Sequence, residues 1–251
     1  MSEHWYDSNG VAVHEVPKAK GDGMRATTIR DARTHGLFPS VTTVLGILSK
    51  PQLDRWKLEQ VVAAAQRVGV SSNWDTSAII DNAFAQVDDA ADLGTEIHAA
   101  LEAHFQRKPY DAKLTPYVEA VAKWVEKEAI AFDAHELRLV NKKDGYAGTT
   151  DAVIRSPRGR GILDFKSRKT TPGKPCTPYD TQPMQIAAYH VAKFGEVFAT
   201  SDCGVNVYIS TTEPGRIEAT WYDSATLAKE WDAFKSILTV WRHMKQHDPR
   251  S

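Results

Sequence analysis

Asp151, Asp164 and Lys166 carry the clearest chemistry in the chain. Asp151 stands in the run Gly148-Thr-Thr-Asp-Ala-Val-Ile154, and the other two stand in Gly161-Ile-Leu-Asp-Phe-Lys166. Both runs read as strands, joined by a turn at Ser156-Pro-Arg-Gly159. The two-residue period of a strand puts Asp164 and Lys166 on one face. Counting outward from the turn brings Asp151 within a residue or two of facing Asp164. Charged side chains on apolar strands are costly to bury without partners. Two neighbouring carboxylates repel, and a divalent cation between them removes that penalty. Oxygen ligands suit Mg2+ or Mn2+ better than zinc. A lysine beside them could orient or deprotonate a water and offset charge on a phosphate. Asp-x-Lys is a short pattern, and Asp111-Ala-Lys113 also matches it, in a turn without flanking apolar strand. The apolar runs and the facing Asp151 carry the inference, not the tripeptide.

Three further features bear on the same chemistry. His98 and Glu102 are four apart in a helical stretch, so they share a face beside the Leu93, Ile97 and Leu101 stripe. Gln185 and Tyr189 are also four apart, on a helix after the Lys166 run. Charge is unevenly spread: Arg155 to Lys174 holds seven Lys or Arg and one acid, whereas Asp75 to Gln106 holds seven acids and no Lys or Arg. The basic run surrounds the candidate strand. Arg168 and Lys169 directly follow it, where a phosphate backbone would need neutralising.

The elements that must hold these residues follow from periodicity. Ser49 and Pro51 open a helix carrying Leu53, Trp56, Val61, Ala64 and Val68. A second helix runs from about Asp89 to Phe105. Thr115 caps a third, with Pro116 in its first turn and Tyr117, Val121, Trp124, Val125 and Phe132 facing inward. The period changes after Ala134. Strands are predicted over His135–Val140, Tyr146–Arg155 and Gly161–Lys166, with a turn at Asn141–Gly145. A loop at Thr170–Pro178 leads to a helix capped by Asp180 or Thr181 and ended by Gly195. Strands at Cys203–Ser210 and Arg216–Tyr222 follow. A helix from Ser224 to about Gln246 carries Leu227, Trp231, Phe234, Leu238 and Trp241. The expected fold is α/β (α+β), a small mixed β-sheet flanked by helices, with an N-terminal helical elaboration. Residues 1–38 read as an arm, 39–133 as a helical region contributing the His98 helix, and 134–251 as the core with its C-terminal helix. Residues 39–251 are expected to form one compact domain.

Composition narrows the function. The chain has 251 residues with 31 Lys plus Arg against 32 Asp plus Glu, so any basic surface must be local. Its two cysteines, Cys176 and Cys203, exclude a four-cysteine zinc or iron–sulfur site within the chain. No phosphate-binding Gly-x4-Gly-Lys loop, dinucleotide fingerprint, His-Glu-x-x-His or Gly-x-Ser-x-Gly occurs. Nothing approaches the ~18 apolar residues of a membrane span, and the start lacks the apolar core of a signal peptide. A cytoplasmic protein without a membrane partner is the expectation.

Together these residues resemble the PD-(D/E)XK nuclease superfamily, and within it the RecB-type exonuclease branch. The branch pattern is Gly-x-x-x-His, a Glu-bearing strand, Gly-x-x-Asp, Asp-x-Lys and Gln-x-x-x-Tyr. The matching residues are Gly94 and His98, Glu136, Gly148 and Asp151, Asp164 and Lys166, and Gln185 and Tyr189, in that order. Tyr146-Ala-Gly-Thr-Thr-Asp151 and Gln185-Ile-Ala-Ala-Tyr189 are similar to mitochondrial genome maintenance exonucleases and related phage exonucleases, and Pro39-Ser-Val-Thr-Thr-Val-Leu45 is similar to the start of such phage proteins. The resemblance implies a restriction-endonuclease-like core. It implies Mg or Mn held by Asp151, Asp164 and the main-chain carbonyl of Phe165, with His98 as a further ligand and Glu136 on the strand or at a second metal. Lys166 would assist the attacking water, and Gln185 and Tyr189 would position DNA or the active-site residues. The implied activity is a metal-dependent DNA exonuclease of phage-type recombination, replication or repair, acting on single strands or free ends. Stacking on aromatics such as Trp56, Trp74 or Tyr110 would suit such strands. DNA is the implied partner, with a single-strand-binding or annealing protein as a second. Many relatives carry four cysteines for an iron–sulfur cluster, so this chain resembles the cluster-free members. The alternatives are a non-catalytic nucleic-acid-binding or scaffold subunit with a nuclease fold, and an endonuclease, including a restriction enzyme.

Overall fold

The structure is a computed structural model that describes residues 3–49, 51–68 and 76–250. Trp74 and Asp75, and the side chains of Leu53 and Val68, lie outside the described residues. The chain opens with β1 (Trp5–Tyr6), β2 (Glu15–Pro17), β3 (Met24–Ala26), α1 (Ile29–His35), β4 (Phe38–Pro39) and α2 (Val41–Leu45). Two long helices follow, α3 (Pro51–Val68) and α4 (Thr76–Phe105), then a 3-10 turn at Ala112–Leu114 and α5 (Thr115–Lys127). The remainder is β5 (Ala131–Asn141), β6 (Tyr146–Ser156), β7 (Gly159–Arg168), α6 (Thr181–Phe194), β8 (Cys203–Ser210), β9 (Ile217–Asp223) and α7 (Ser224–Lys245). The chain divides into two compact units: Met1–Ile47 with Glu119–Ser251, and Leu48–Val118.

The first unit is built on a five-stranded sheet in the order β5-β6-β7-β8-β9. Only β7 and β8 pair in parallel, and α6 is the crossover such a pair needs. The turns are those the sequence called for. Gly145 at φ 69° donates its N–H to the Asn141 carbonyl at 2.7 Å, closing β5 onto β6. Gly159 at φ 127° begins β7. Helices α6 and α7 cover β8, because a Cβ on Gly204 would meet Ile186 and Leu227. Asp223 caps α7 by accepting the Thr226 N–H at 2.8 Å, and all five residues of the expected α7 stripe are buried. The sheet flanked by helices is thus present as expected. In the second unit, Ile79 and Ala83 of α4 pack on Ala64 of α3.

Several boundaries differ from expectation, each for a local reason. The helix expected to carry Phe132 ends at Lys127, and Phe132 lies in β5. Ala129 adopts the left-handed conformation at φ 51°, and Ile130 donates back to the Val125 carbonyl, which closes the helix without a glycine to announce it. Thr115 is not the N-cap of α5: Asp111 caps the preceding 3-10 turn by accepting the Lys113 N–H, and Thr115 follows with helical torsions as the first residue of α5. Asp180 does not cap α6 through its side chain; the Gln182 side chain accepts the Tyr179 N–H instead. Helix α4 begins at Thr76, well before Asp89, since Ile79 and Ala83 are already packed. Residues before Ile47 belong with the sheet rather than forming a separate arm. Trp5 is fully buried, 6.1 Å from Trp241 between ring centroids. Helix α1 was not foreseen, although Asp31 accepts the Thr28 N–H in a capping arrangement readable as Thr-x-x-Asp. Among the described residues no helix is long and apolar enough to cross a membrane.

Candidate active site

Strands β6 and β7 bring the two aspartates together. Their antiparallel register runs from Ser156↔Gly159 to Ala152↔Leu163, so Asp151 and Asp164 are the next opposing pair. The ladder stops there because the Phe165 N–H turns to the Asp151 carboxylate, at 2.6 Å. Lys166 reaches back along its own strand to Asp164, with Nζ 2.7 Å from Oδ1 and 2.6 Å from Oδ2. The strand period therefore places the two as expected. Asp164 is buried and Lys166 half-buried.

Electrostatics sets Asp151 apart. Its carboxyl is held well above the usual carboxylate range, first by burial and then by the charge of Asp164. Lys166 and the Phe165 N–H pull the other way, and Glu136 adds to the upward push. Glu136 is the exposed residue of β5 across from Asp151. The β5–β6 pairing passes from His135↔Ala152 to Leu137↔Thr150, and Glu136 sits at φ 45° in the step between. A half-buried acid crowded by a second, buried one, with a third nearby, is a donor set of hard oxygens that a divalent cation would neutralise. Binding a cation there would displace the proton that burial favours. The residues present fit Mg2+ or Mn2+ on that chemistry. Among the described residues no three His, Cys, Asp or Glu side chains are grouped as a ready ligand cluster. The side-chain oxygens brought together here come from Asp151 and Asp164.

Helix α6 supplies Gln185 and Tyr189, both buried. Gln185 lies one helical turn before Tyr189, and Tyr189 feels the charges of Asp164 and Asp151. Its ring lies over Gly148: a Cβ on Gly148 would stand 2.7 Å from Tyr189 Cε1 and 2.9 Å from its oxygen. Of the two roles open to this pair, positioning the active-site residues suits buried side chains, whereas DNA contact does not.

His98 lies on α4 in the second unit, half-buried and next to the buried Ile97. Glu102, one turn on, accepts from the Gln106 side chain. Trp56 and Tyr110 are half-buried, the latter edge-on to His104. The basic run is not one patch around the site. Arg155, Arg158 and Arg160 sit at the β6–β7 turn against Asp133, Glu128 and Asp202, at 2.8, 3.9 and 2.8 Å. Arg168 stands at the other end of β7, with its guanidinium over Tyr179 and Tyr208 and a bond to the Thr177 carbonyl. Lys169 follows it, exposed.

Sequence reading missed Asn206, Tyr208, Tyr222 and Gln182. Asn206 is wholly buried in β8, in register with Asp164, and donates to its Oδ2 at 2.9 Å. One signal was available: an amide inside the apolar run Gly204-Val-Asn-Val-Tyr-Ile209 demands a partner.

No family model and no curated protein matches the chain. Among solved structures, one described as the crystal structure of SSO0001 is similar over 79% of this chain and 74% of its own, at 17% identity and a TM-score of 0.30. A likeness that small carries no argument about this site.

Proposed function

We propose that the protein is a Mg2+- or Mn2+-dependent DNA exonuclease with a restriction-endonuclease-like core, of the PD-(D/E)XK type that its motifs resemble. The observation that supports this reading best is the joining of Asp151, Asp164 and Lys166 on adjacent strands, with the Asp151 carboxyl pushed up by burial and then by its acidic neighbour. Asp151, Asp164 and the Phe165 carbonyl would hold the cation. When bound, it would supply Lewis-acid polarisation of a phosphoryl oxygen and a more acidic water. Lys166 would orient the attacking water and offset negative charge growing on the phosphate. Asp164 holds the Lys166 amine in place for that role. Gln185 and Tyr189 keep α6 packed over the pair, and Arg168 and Lys169 lie where the DNA backbone would pass. DNA is the substrate and partner on this reading.

End-labelled linear single- and double-stranded DNA, and a closed circle, incubated with Mg2+, Mn2+ or chelator, test the proposal. The expected result is release of nucleotides from linear DNA only with metal. The variants Asp164→Ala and Lys166→Ala should lose cleavage by at least about 100-fold while keeping a cooperative melt. Either variant degrading DNA at the parental rate would overturn the site. Cleavage of the circle would make the enzyme an endonuclease.

A further inference from the structure

Behind the acidic pair lies a buried polar chain that the nuclease reading does not require. Asn206 Nδ2 donates to Asp164 Oδ2 at 2.9 Å, and the Tyr222 hydroxyl donates to Asn206 Oδ1, also at 2.9 Å. The chain thus runs from β7 through β8 to β9. Tyr208, also on β8, donates separately to Gln182 Oε1 at 2.8 Å. Asn206 is 0% exposed, so its amide has no water to turn to and its orientation is fixed by these partners. A hydroxyl that donates to Oδ1 leaves the NH2 end facing Asp164. Asp164 is consequently gripped from two sides, by Asn206 on Oδ2 and by Lys166, which also donates to Oδ1.

We propose that Asn206, oriented by Tyr222, is a positioning residue that sets the Asp164 carboxylate for a divalent cation. The inference rests on the nuclease reading, because it takes Asp164 to be a cation ligand. A carboxylate whose rotation is fixed binds a cation without first losing that freedom. Partners that orient ligands in this way commonly change metal affinity by about 10- to 100-fold when removed.

Full-length Asn206→Leu and Tyr222→Phe proteins test this. Mn2+ binding is read without DNA, from the electron paramagnetic resonance signal of the free ion, beside a thermal melt and a cleavage assay. Asn206→Leu should raise the Mn2+ Kd by about 10- to 100-fold, and Tyr222→Phe by roughly 3- to 10-fold. Cleavage should be partly restored by excess Mn2+. A residue serving only the packing of β8 would lower the melting temperature and leave the Mn2+ Kd of the folded protein unchanged. That result would overturn the inference. If Asn206→Leu does not fold, the Mn2+ Kd of Tyr222→Phe, which keeps its ring, decides between the two outcomes. A parental protein that binds Mn2+ and cleaves DNA, with variants that match it, sinks this inference alone. A parental protein that does neither sinks the nuclease reading and this inference with it.

Discussion

Gly148 and Tyr189 join two separate motifs into one packing unit. The glycine of Gly-x-x-Asp leaves the space that the tyrosine of Gln-x-x-x-Tyr fills, since a Cβ at position 148 would be 2.7 Å from the ring. Tyr189 is 3% exposed, so the ring has little room to yield. Gly148→Ala should therefore destabilise the protein by about 1–3 kcal/mol in urea unfolding. A parental unfolding midpoint would mean that the ring moves aside freely. Glu136 poses a different case. Its φ of 45° is strained for any residue with a Cβ. Glu136→Gly should be about 1 kcal/mol more stable than Glu136→Ala, which keeps the strain while losing the same carboxylate. Equal stabilities would show that the backbone relaxes once the Glu side chain is gone. Asp151, Asp164 and Lys166 were legible because their charge interrupts apolar strands. Asn206 was passed over because a neutral amide makes no such contrast, and its partners lie 42 residues back and 16 residues on.

At the scale of elements, what could be read tracked turn chemistry. Gly145, Gly159 and Gly195 marked the ends of β5, β6 and α6, and β8 was found residue for residue because its run is bounded on both sides. Helix ends made without glycine, at Ala129, or with a side chain from inside the helix, at Gln182, left no such mark. Helix α6 also carries His190, whose ring is wholly buried and stacks on Phe198 at 4.9 Å. Neither ring nitrogen has a hydrogen-bond partner among the described residues. Burial lowers its pKa to about 4; Asp202, 3.5 Å away, resists this and Arg160 assists it. The folded protein thus keeps His190 neutral while the unfolded chain would protonate it near its ordinary value of 6.5. The unfolded state then binds more protons between about pH 6.5 and 4. This contribution is fully present above pH 6.5 and is lost as pH falls through that window, by up to about 3 kcal/mol. Urea unfolding of His190→Phe against the parent, at several pH values in that window, isolates it. The difference between the two should shift steadily in favour of the variant as pH drops. A constant difference would show that the parental histidine titrates alike in both states.

For the whole molecule, linear charge proved a poor guide to surface charge. The seven cations between Arg155 and Lys174 read as one cluster, yet the β6–β7 turn and the ten residues of β7 divide them. A strand of that length spans about 30 Å. The three arginines at the turn face carboxylates of their own, whereas Arg168 and Lys169 lie at the end that carries Lys166. A chain with a net charge of -1 has no overall attraction for DNA, so on the nuclease reading binding would depend on the few cations beside the site. Single-stranded DNA binding in chelator, followed by anisotropy across a salt series, reads that number from the slope of log Kd against log salt. Lys169→Ala should flatten the slope by about 1 and weaken binding on all sequences alike. Arg155→Ala and Arg158→Ala should leave it where it was, because those guanidiniums already answer to Asp133 and Glu128. Equal losses from both ends of β7 would mean that DNA contacts the turn as well as the Lys166 end. Binding indifferent to salt would leave the nuclease reading without a backbone to hold.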